Sequence, residues 1–169
     1  CLTLENPHMA IDPPQTILYS LPGKPSWVHR QVLANPHHFN QQRLIQVVGF
    51  FGQSRSQANI ELAQQFDLTL MQEIPQHKGL ISYSTMLLRD GNYANLVLFT
   101  DETAQMAWSR SQAHARAVYD LSPSYYHTIR IYNGRLPWGI KQSEALTLLK
   151  VRYFDYDQAP MWRGVRALV

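Results

Sequence analysis

Trp108, Ser111 and His114 follow one another at intervals of three residues, so on a helix each side chain lies about one turn from the next. An imidazole at the edge of a buried helix face can take a proton from a phenol or hydroquinone, or ligate a haem iron. It can equally serve structure, by hydrogen-bonding a neighbouring strand or a partner chain. Trp108 offers a wall for a flat ligand, or simply a large core side chain. Asn95, Tyr83, Ser82 and Tyr93 fall in strand-like segments and could present hydrogen-bonding groups. Asn is disfavoured within strands, which points to a polar task inside the fold; the alternative is that Asn95 faces water. His127 and Arg130 must point to opposite faces of their strand. Arg130 would then meet either an acidic ligand or a surface ion pair.

Several chemistries are absent. His37 and His38 are adjacent, and no Asp or Glu stands nearby at ligand spacing, so no metal site is expected. The sequence carries no G-x-G-x-x-G, phosphate-binding loop, H-E-x-x-H or G-x-S-x-G, which removes nucleotide, zinc-peptidase and α/β-hydrolase readings.

The elements that would hold these residues can be read from residues 43 to 137. Arg43 to Gly52 is β-branched and aromatic, as a strand is. Ser54 with Gln57 has capping-box spacing, with Ser56 as the other cap. Leu62, Phe66 and Leu70 then mark one helix face, which Pro75 and Gly79 end. Gly79 to Arg89 and Tyr93 to Thr100 read as strands joined at Asp90-Gly91, a tight-turn pair. Thr100 or Asp101 caps a second helix, whose inner face collects Ala104, Ala107, Trp108, Ser111, Ala115 and Val118. Ser122-Pro123 stops it, and Tyr126 to Tyr132 forms a fourth strand.

This β-α-β-β-α-β order predicts an α+β fold of ferredoxin-like type. Both helices then cover one face of the sheet. The other face is apolar enough to need a partner, and a second copy of the chain is the economical one. Residues 1 to 42, with six prolines, read as an irregular N-terminal arm with a short helix over 26 to 34 capped by Ser26. Residues 138 to 169 read as a C-terminal extension with an added strand over Ala145 to Tyr156 and a docking tail at Met161, Trp162 and Val165.

Composition limits the partners. Hydrophobic residues are 45% and charged residues 16%, which gives a packed globule rather than a disordered chain. The longest apolar runs are far short of the about twenty residues a membrane helix needs, so no membrane span is expected. Basic residues are scattered in a chain of net charge +3, and no nucleic-acid footprint is expected. Cys1 is the lone cysteine, so there is no internal disulfide, and a reducing, cytoplasmic setting is the default. As first residue, Cys1 reads either as a processed, lipid-bearing terminus or as an arbitrary boundary.

The strand ending in Phe50-Phe51, the helix leading to Pro75 and Gly79-Leu80, Asp90-Gly91, Asn95-Leu96-Val97 and the Trp-x-x-Ser-x-x-His element form one pattern. Over about residues 43 to 135 this resembles the antibiotic-biosynthesis-monooxygenase-like domain of the dimeric α/β-barrel superfamily. The resemblance implies a homodimer with a ligand pocket between sheet and helices. It makes His114 the catalytic candidate, with Trp108, Ser111, Asn95, Tyr83 and Phe50 as ligand contacts. Members include cofactor-independent monooxygenases that oxidise polycyclic phenols, and others that degrade haem. Haem degraders use an Asn on the first strand and a longer Trp-to-His spacing; Arg43 to Gly52 holds no Asn, and Trp108 to His114 is short. Those departures argue against haem degradation; no cofactor is the expectation, with a non-catalytic haem-binding dimeric module as the alternative. Three readings follow: an enzyme acting on a small flat apolar or aromatic molecule, a module that binds such a ligand unchanged, and a dimer whose interior is simply filled.

Overall fold

Strand pairing organises the chain from near its start to its end. A computed structural model describes residues 15–21, 24–56, 58–88 and 91–168. Cys1 lies outside them, as do Gln57 of the expected capping box and Asp90 of the expected turn. The elements are β1 (Gln15–Leu21), β2 (Lys24–Leu33), α1 (Pro36–Gln41), β3 (Ile45–Ser54), α2 (Ile60–Glu73), β4 (Leu80–Leu87), β5 (Tyr93–Phe99), α3 (Glu102–Ser109), α4 (Gln112–Arg116), α5 (Ser122–Tyr125), β6 (Tyr126–Leu136), β7 (Thr147–Asp155) and β8 (Trp162–Ala167). A π-helical turn, Ala117–Leu121, links α4 to α5, and 3-10 turns run over Ile74–Gln76 and Ile140–Ala145.

The fold is α+β, with one eight-stranded sheet in the order β1-β2-β4-β5-β3-β6-β7-β8 and every neighbouring pair antiparallel. Both flanks enter that sheet. The segment expected as an irregular arm with a short helix forms the β1–β2 hairpin, and residues 28–33 pair with β4. Tertiary pairing overrides local propensity here, because the free edge of β4 offers a full row of backbone partners. The C-terminal flank supplies two strands rather than one. Its expected docking tail is the edge strand β8, on which Trp162 and Val165 stay exposed.

Local signals explain most element ends. Asn59, not Ser54 or Ser56, caps α2, its side chain accepting from the Leu62 N–H at 2.9 Å. Ser54 is still in β3, where its N–H donates to Asn92 Oδ1 at 2.8 Å. Asp101 caps α3 by accepting from the Ala104 N–H at 2.8 Å. Gly91 turns the β4–β5 connection with a φ of 75°, which side chains with a Cβ resist.

The second helical segment is not continuous. It breaks at Arg110 and Ser111, and the Ser111 hydroxyl restarts it by accepting the His114 N–H at 3.2 Å. The break rotates the face that follows, so Ala113 is buried while Val118 is exposed.

The helices from α2 to α5 cover one sheet face. Val32, Leu80, Tyr83, Val97, Phe99 and Trp108 form one core beneath them, and Ala63, Tyr93, Leu121, Tyr125, Tyr126 and Ile129 form another. On the opposite face α1 and the 3-10 turn at Ile140 cover one end, through Phe39 and Ile140 against Ile45, Val47, Leu98 and Leu136. Full burial of each such side chain contributes roughly 1.5–3 kcal/mol. Among the described residues no helix is long and apolar enough to cross a membrane.

Gly52 sits where β3 passes under the Tyr126 ring, and a Cβ there would fall within that ring. Gly52→Ala is expected to lower stability by about 1–3 kcal/mol, since Tyr126 is boxed in by Phe50 and Tyr125. A chemical denaturation midpoint equal to that of the parent chain would contradict this packing.

Candidate functional site

Antiparallel register puts side chains opposite one another on neighbouring strands, and one such row runs from β2 to β8. Arg30 on β2 faces Thr85, Thr85 faces Asn95, and Asn95 faces Phe50. Phe50 in turn faces Ile131, then Arg152 on β7 and Val165 on β8. This row lies under the helices. Between it and them is a cavity of about 390 Å³. Val48, Val97, Phe99 and Phe154 extend its floor, while Phe66, Leu70, Trp108 and Leu121 form much of its roof. The lining is mainly apolar, as small-molecule sites commonly are.

Of the residues singled out from sequence, His114, Trp108, Asn95, Tyr83 and Phe50 all line this cavity. Ser111 does not; its hydroxyl is spent on the cap of α4. Its role is to begin the short helix that carries His114. Trp108 is nearly fully buried, with its ring edge-to-face against His77 at 4.9 Å and against His114 at 6.2 Å between centroids. It is thus core and wall together. Asn95 faces the cavity rather than water, and its Oδ1 accepts from the Thr85 hydroxyl at 2.7 Å. That bond orients the amide and leaves its NH2 group free to donate.

Tyr83 is committed to structure. Its hydroxyl donates to Asp67 Oδ1 at 3.3 Å, and Asp67 forms an ion pair with Arg30. Burial, and then the Asp67 charge, push the Tyr83 phenol well above its ordinary range, so it stays protonated. His127 and Arg130 lie outside the cavity. His127 Nδ1 is 2.6 Å from Asp157 Oδ2, while Arg130 is exposed.

His114 is the polar group best placed for chemistry. Its Nδ1 is buried and has no hydrogen-bond partner. Burial pulls its pKa below the ordinary 6.5, and the Arg152 charge acts in the same direction. The Ser109 carbonyl and the Glu73 charge oppose them and are outweighed. The ring is therefore neutral near pH 7, and the lone-pair nitrogen of a neutral imidazole can accept a proton from a bound acid. Glu73 Oε1 accepts the Ala113 N–H at 3.2 Å, while Oε2, 4.0 Å from His77 Nε2, is buried without a hydrogen bond.

Sequence reasoning missed contributors from both flanks. Arg152 and Phe154 reach the cavity from β7, and Arg30 anchors Asp67 from β2. Only the alternation along Leu148 to Phe154 carried a signal for the first two, and it could not say which face looked inward. The π-helical turn Ala117–Leu121, which supplies Ala117, Val118, Tyr119 and Leu121 to the lining, had no visible signature. Single π turns often mark functional sites, because they swing side chains out of helical register.

No family model matches the chain, and no curated protein matches it. Among solved structures, the crystal structure of protein SO0527 from Shewanella oneidensis is similar over 57% of this chain and 95% of its own, with 17% identity and a TM-score of 0.47.

Burial of a neutral His114 ties stability to pH with a definite sign. Between 6.5 and its lower folded value, the unfolded chain binds a proton that the folded chain refuses. The His114 contribution is thus full above about pH 6.5 and shrinks as pH falls through that window. Urea midpoints measured from about pH 7.5 to 5 should fall more steeply for the parent chain than for His114→Gln. Parallel curves would mean that His114 is not buried in its neutral form.

Proposed function

We propose that the chain binds a small, flat, largely aromatic molecule in this cavity, and that His114 takes a proton from it. The observation that carries the reading is the unpartnered Nδ1 of a neutral His114 on the wall of a mainly apolar cavity. A phenol ionised there is electron-rich and shielded from water, the condition under which a phenolate reacts with molecular oxygen unaided. The balance is one phenol and one O2 giving one quinone and one water, with the proton first taken by His114 returned to the departing oxygen. Phe50 and Trp108 would hold the ring, and the free Asn95 NH2 would donate to the oxygen that becomes charged. This is the activity expected of the cofactor-independent monooxygenases that the sequence resembles.

Haem fits poorly. A porphyrin pressed by Trp108 and ligated by His114 would have to separate rings that already meet edge to face at 6.2 Å, and β3 offers no Asn. A ligand carrier without turnover is the second reading, and the same cavity favours it.

The sequence of strands β4-β5-β3-β6 within the sheet supports a ferredoxin-like core. We further propose that two copies pack through the sheet face away from the cavity to form a dimeric barrel. Leu96, on a central strand of that face, is 47% exposed, and Leu148 and Trp162 are exposed on the same side. The end covered by Phe39 is already closed, so the contact would centre on Leu96, Phe51 and Tyr132.

Two measurements test these statements separately. His114→Gln should lower turnover of a hydroxynaphthalene probe by about 10²-fold or more, with its binding retained, as removal of a general base does. Undiminished turnover would remove the role. Leu96→Glu should convert a dimer into a folded monomer in sedimentation analysis; a parent chain that already sediments as a monomer would refute the barrel.

A further inference from the structure

Two arginines lie on the cross-strand row beneath the cavity, and the fold treats them differently. Arg30 is neutralised by Asp67, which is itself steadied by the Tyr83 hydroxyl. Arg152 has no counterpart. Among the described residues it forms no ion pair and no hydrogen bond; its Nε, like that of Arg30, is buried with no partner. Arg152 as a whole is half-buried, so the partial desolvation of its guanidinium is uncompensated by any acid among the described residues.

The remaining charges do not supply the missing acid. Asp67 lines the cavity but is held by Arg30 and Tyr83. Glu73 accepts the Ala113 N–H through Oε1 and its Oε2 is buried without a hydrogen bond, yet among the described residues it forms no ion pair with Arg152. Asp120, on the π turn above, pairs with Arg116 at 3.5 Å. Arg152 therefore stands on the cavity wall as a free fork of donors, with Ile131 and Phe154 making the surface beside it apolar. Such a fork can donate to two oxygens of one oxyanion at once.

We propose that Arg152 is an anion anchor, and that the ligand is a flat aromatic molecule carrying an acidic group at one end, a carboxylate or sulfonate. This deepens the reading of the cavity as an aromatic-ligand site and rests on it. The aromatic body lies over Phe50 toward Asn95, three strand spacings or about 14 Å of backbone from Arg152. The acidic group meets the guanidinium where β7 forms the cavity's far side. The same contact would cancel the Arg152 charge felt by His114, so ligand binding itself would make His114 a stronger base.

The test compares two fluorescent probes of one skeleton, 8-anilinonaphthalene-1-sulfonate and the neutral N-phenyl-1-naphthylamine, titrated into the full chain. The parent should bind the sulfonate at least about tenfold tighter than the neutral probe, at one per chain. Arg152→Gln should abolish that preference and leave the neutral probe unaffected, while Arg152→Lys keeps a fraction of it and His114→Gln keeps all of it. Arg152→Gln should also melt at the same temperature as the parent or higher, since it removes an unpaired cation; an arginine with a structural role would melt lower. An unchanged sulfonate preference in Arg152→Gln overturns the anchor while leaving an apolar cavity standing. Failure of both probes to bind the parent overturns the anchor together with the aromatic-ligand reading. Loss of turnover in His114→Gln, with the preference intact, separates proton transfer from anchoring.

Discussion

The alternation of side chains along the antiparallel strands β3 to β8 is the constraint on which the cavity depends. A shift of one residue in any pairing would turn that strand's contribution to the other face. With the observed register, Asn95, Phe50, Ile131 and Arg152 stand in one line beneath the helices, and Leu96, Gly49, Tyr132 and Val151 stand in the neighbouring line on the far side. The two lines have different tasks. The first offers polar groups set in an apolar floor, and the second is a surface of small and large apolar groups around a glycine. The bulge between Asn133 and Gly134 matters for the same reason, because it resets the phase of β7 so that Leu148 and Arg152 fall on opposite faces despite being four residues apart.

A floor alone does not leave a cavity; the roof must fail to settle on it. Two irregularities hold it off. The break at Arg110 and Ser111 ends α3 just after Trp108 has been driven into the core, and α4 begins in a new direction. The π turn that follows adds a further offset before Tyr125 and Tyr126 return the chain to the sheet. A straight helix over the same residues would have carried one continuous apolar stripe and closed against the sheet. The roof is also where the exposed Tyr119 sits, on the same turn as the buried Leu121, so the cavity wall and its outer rim belong to one short segment.

The sequence made the central pattern legible because its signals are local. Alternation from Gly79 to Arg89, the turn glycine at 91, the acidic cap at Asp101 and the apolar stripe of Leu62, Phe66 and Leu70 each act within a few residues, and each marks an element of the fold. What escaped was set by distant partners. Residues 24 to 33 become a strand because β4 offers an edge. Ser111 reads as a ligand contact on a continuous helix and becomes a cap once that helix breaks. Among site residues, His114 and Asn95 stood out because each is unusual for its element. Arg152 did not, since an arginine in a terminal strand looks ordinary until its lack of an acid is seen in three dimensions.

The unpaired groups themselves narrow the interpretation. Among the described residues His114 Nδ1 and Arg152 Nε are buried without partners, as are Arg30 Nε, Glu73 Oε2 and the Asn133 amide, but His114 and Arg152 are the two whose residues line the cavity without an ion pair. If the cavity served only to be filled, apolar side chains at these two positions would stabilise the fold at no cost in packing. Both groups line the same cavity and have opposite chemical characters, a neutral base and a fixed cation, and the cation helps to keep the base unprotonated. A hydrophobic interior needs neither. A bound acid with an ionisable ring substituent would satisfy both at once, and the stability forfeited in the empty chain would then be regained in binding.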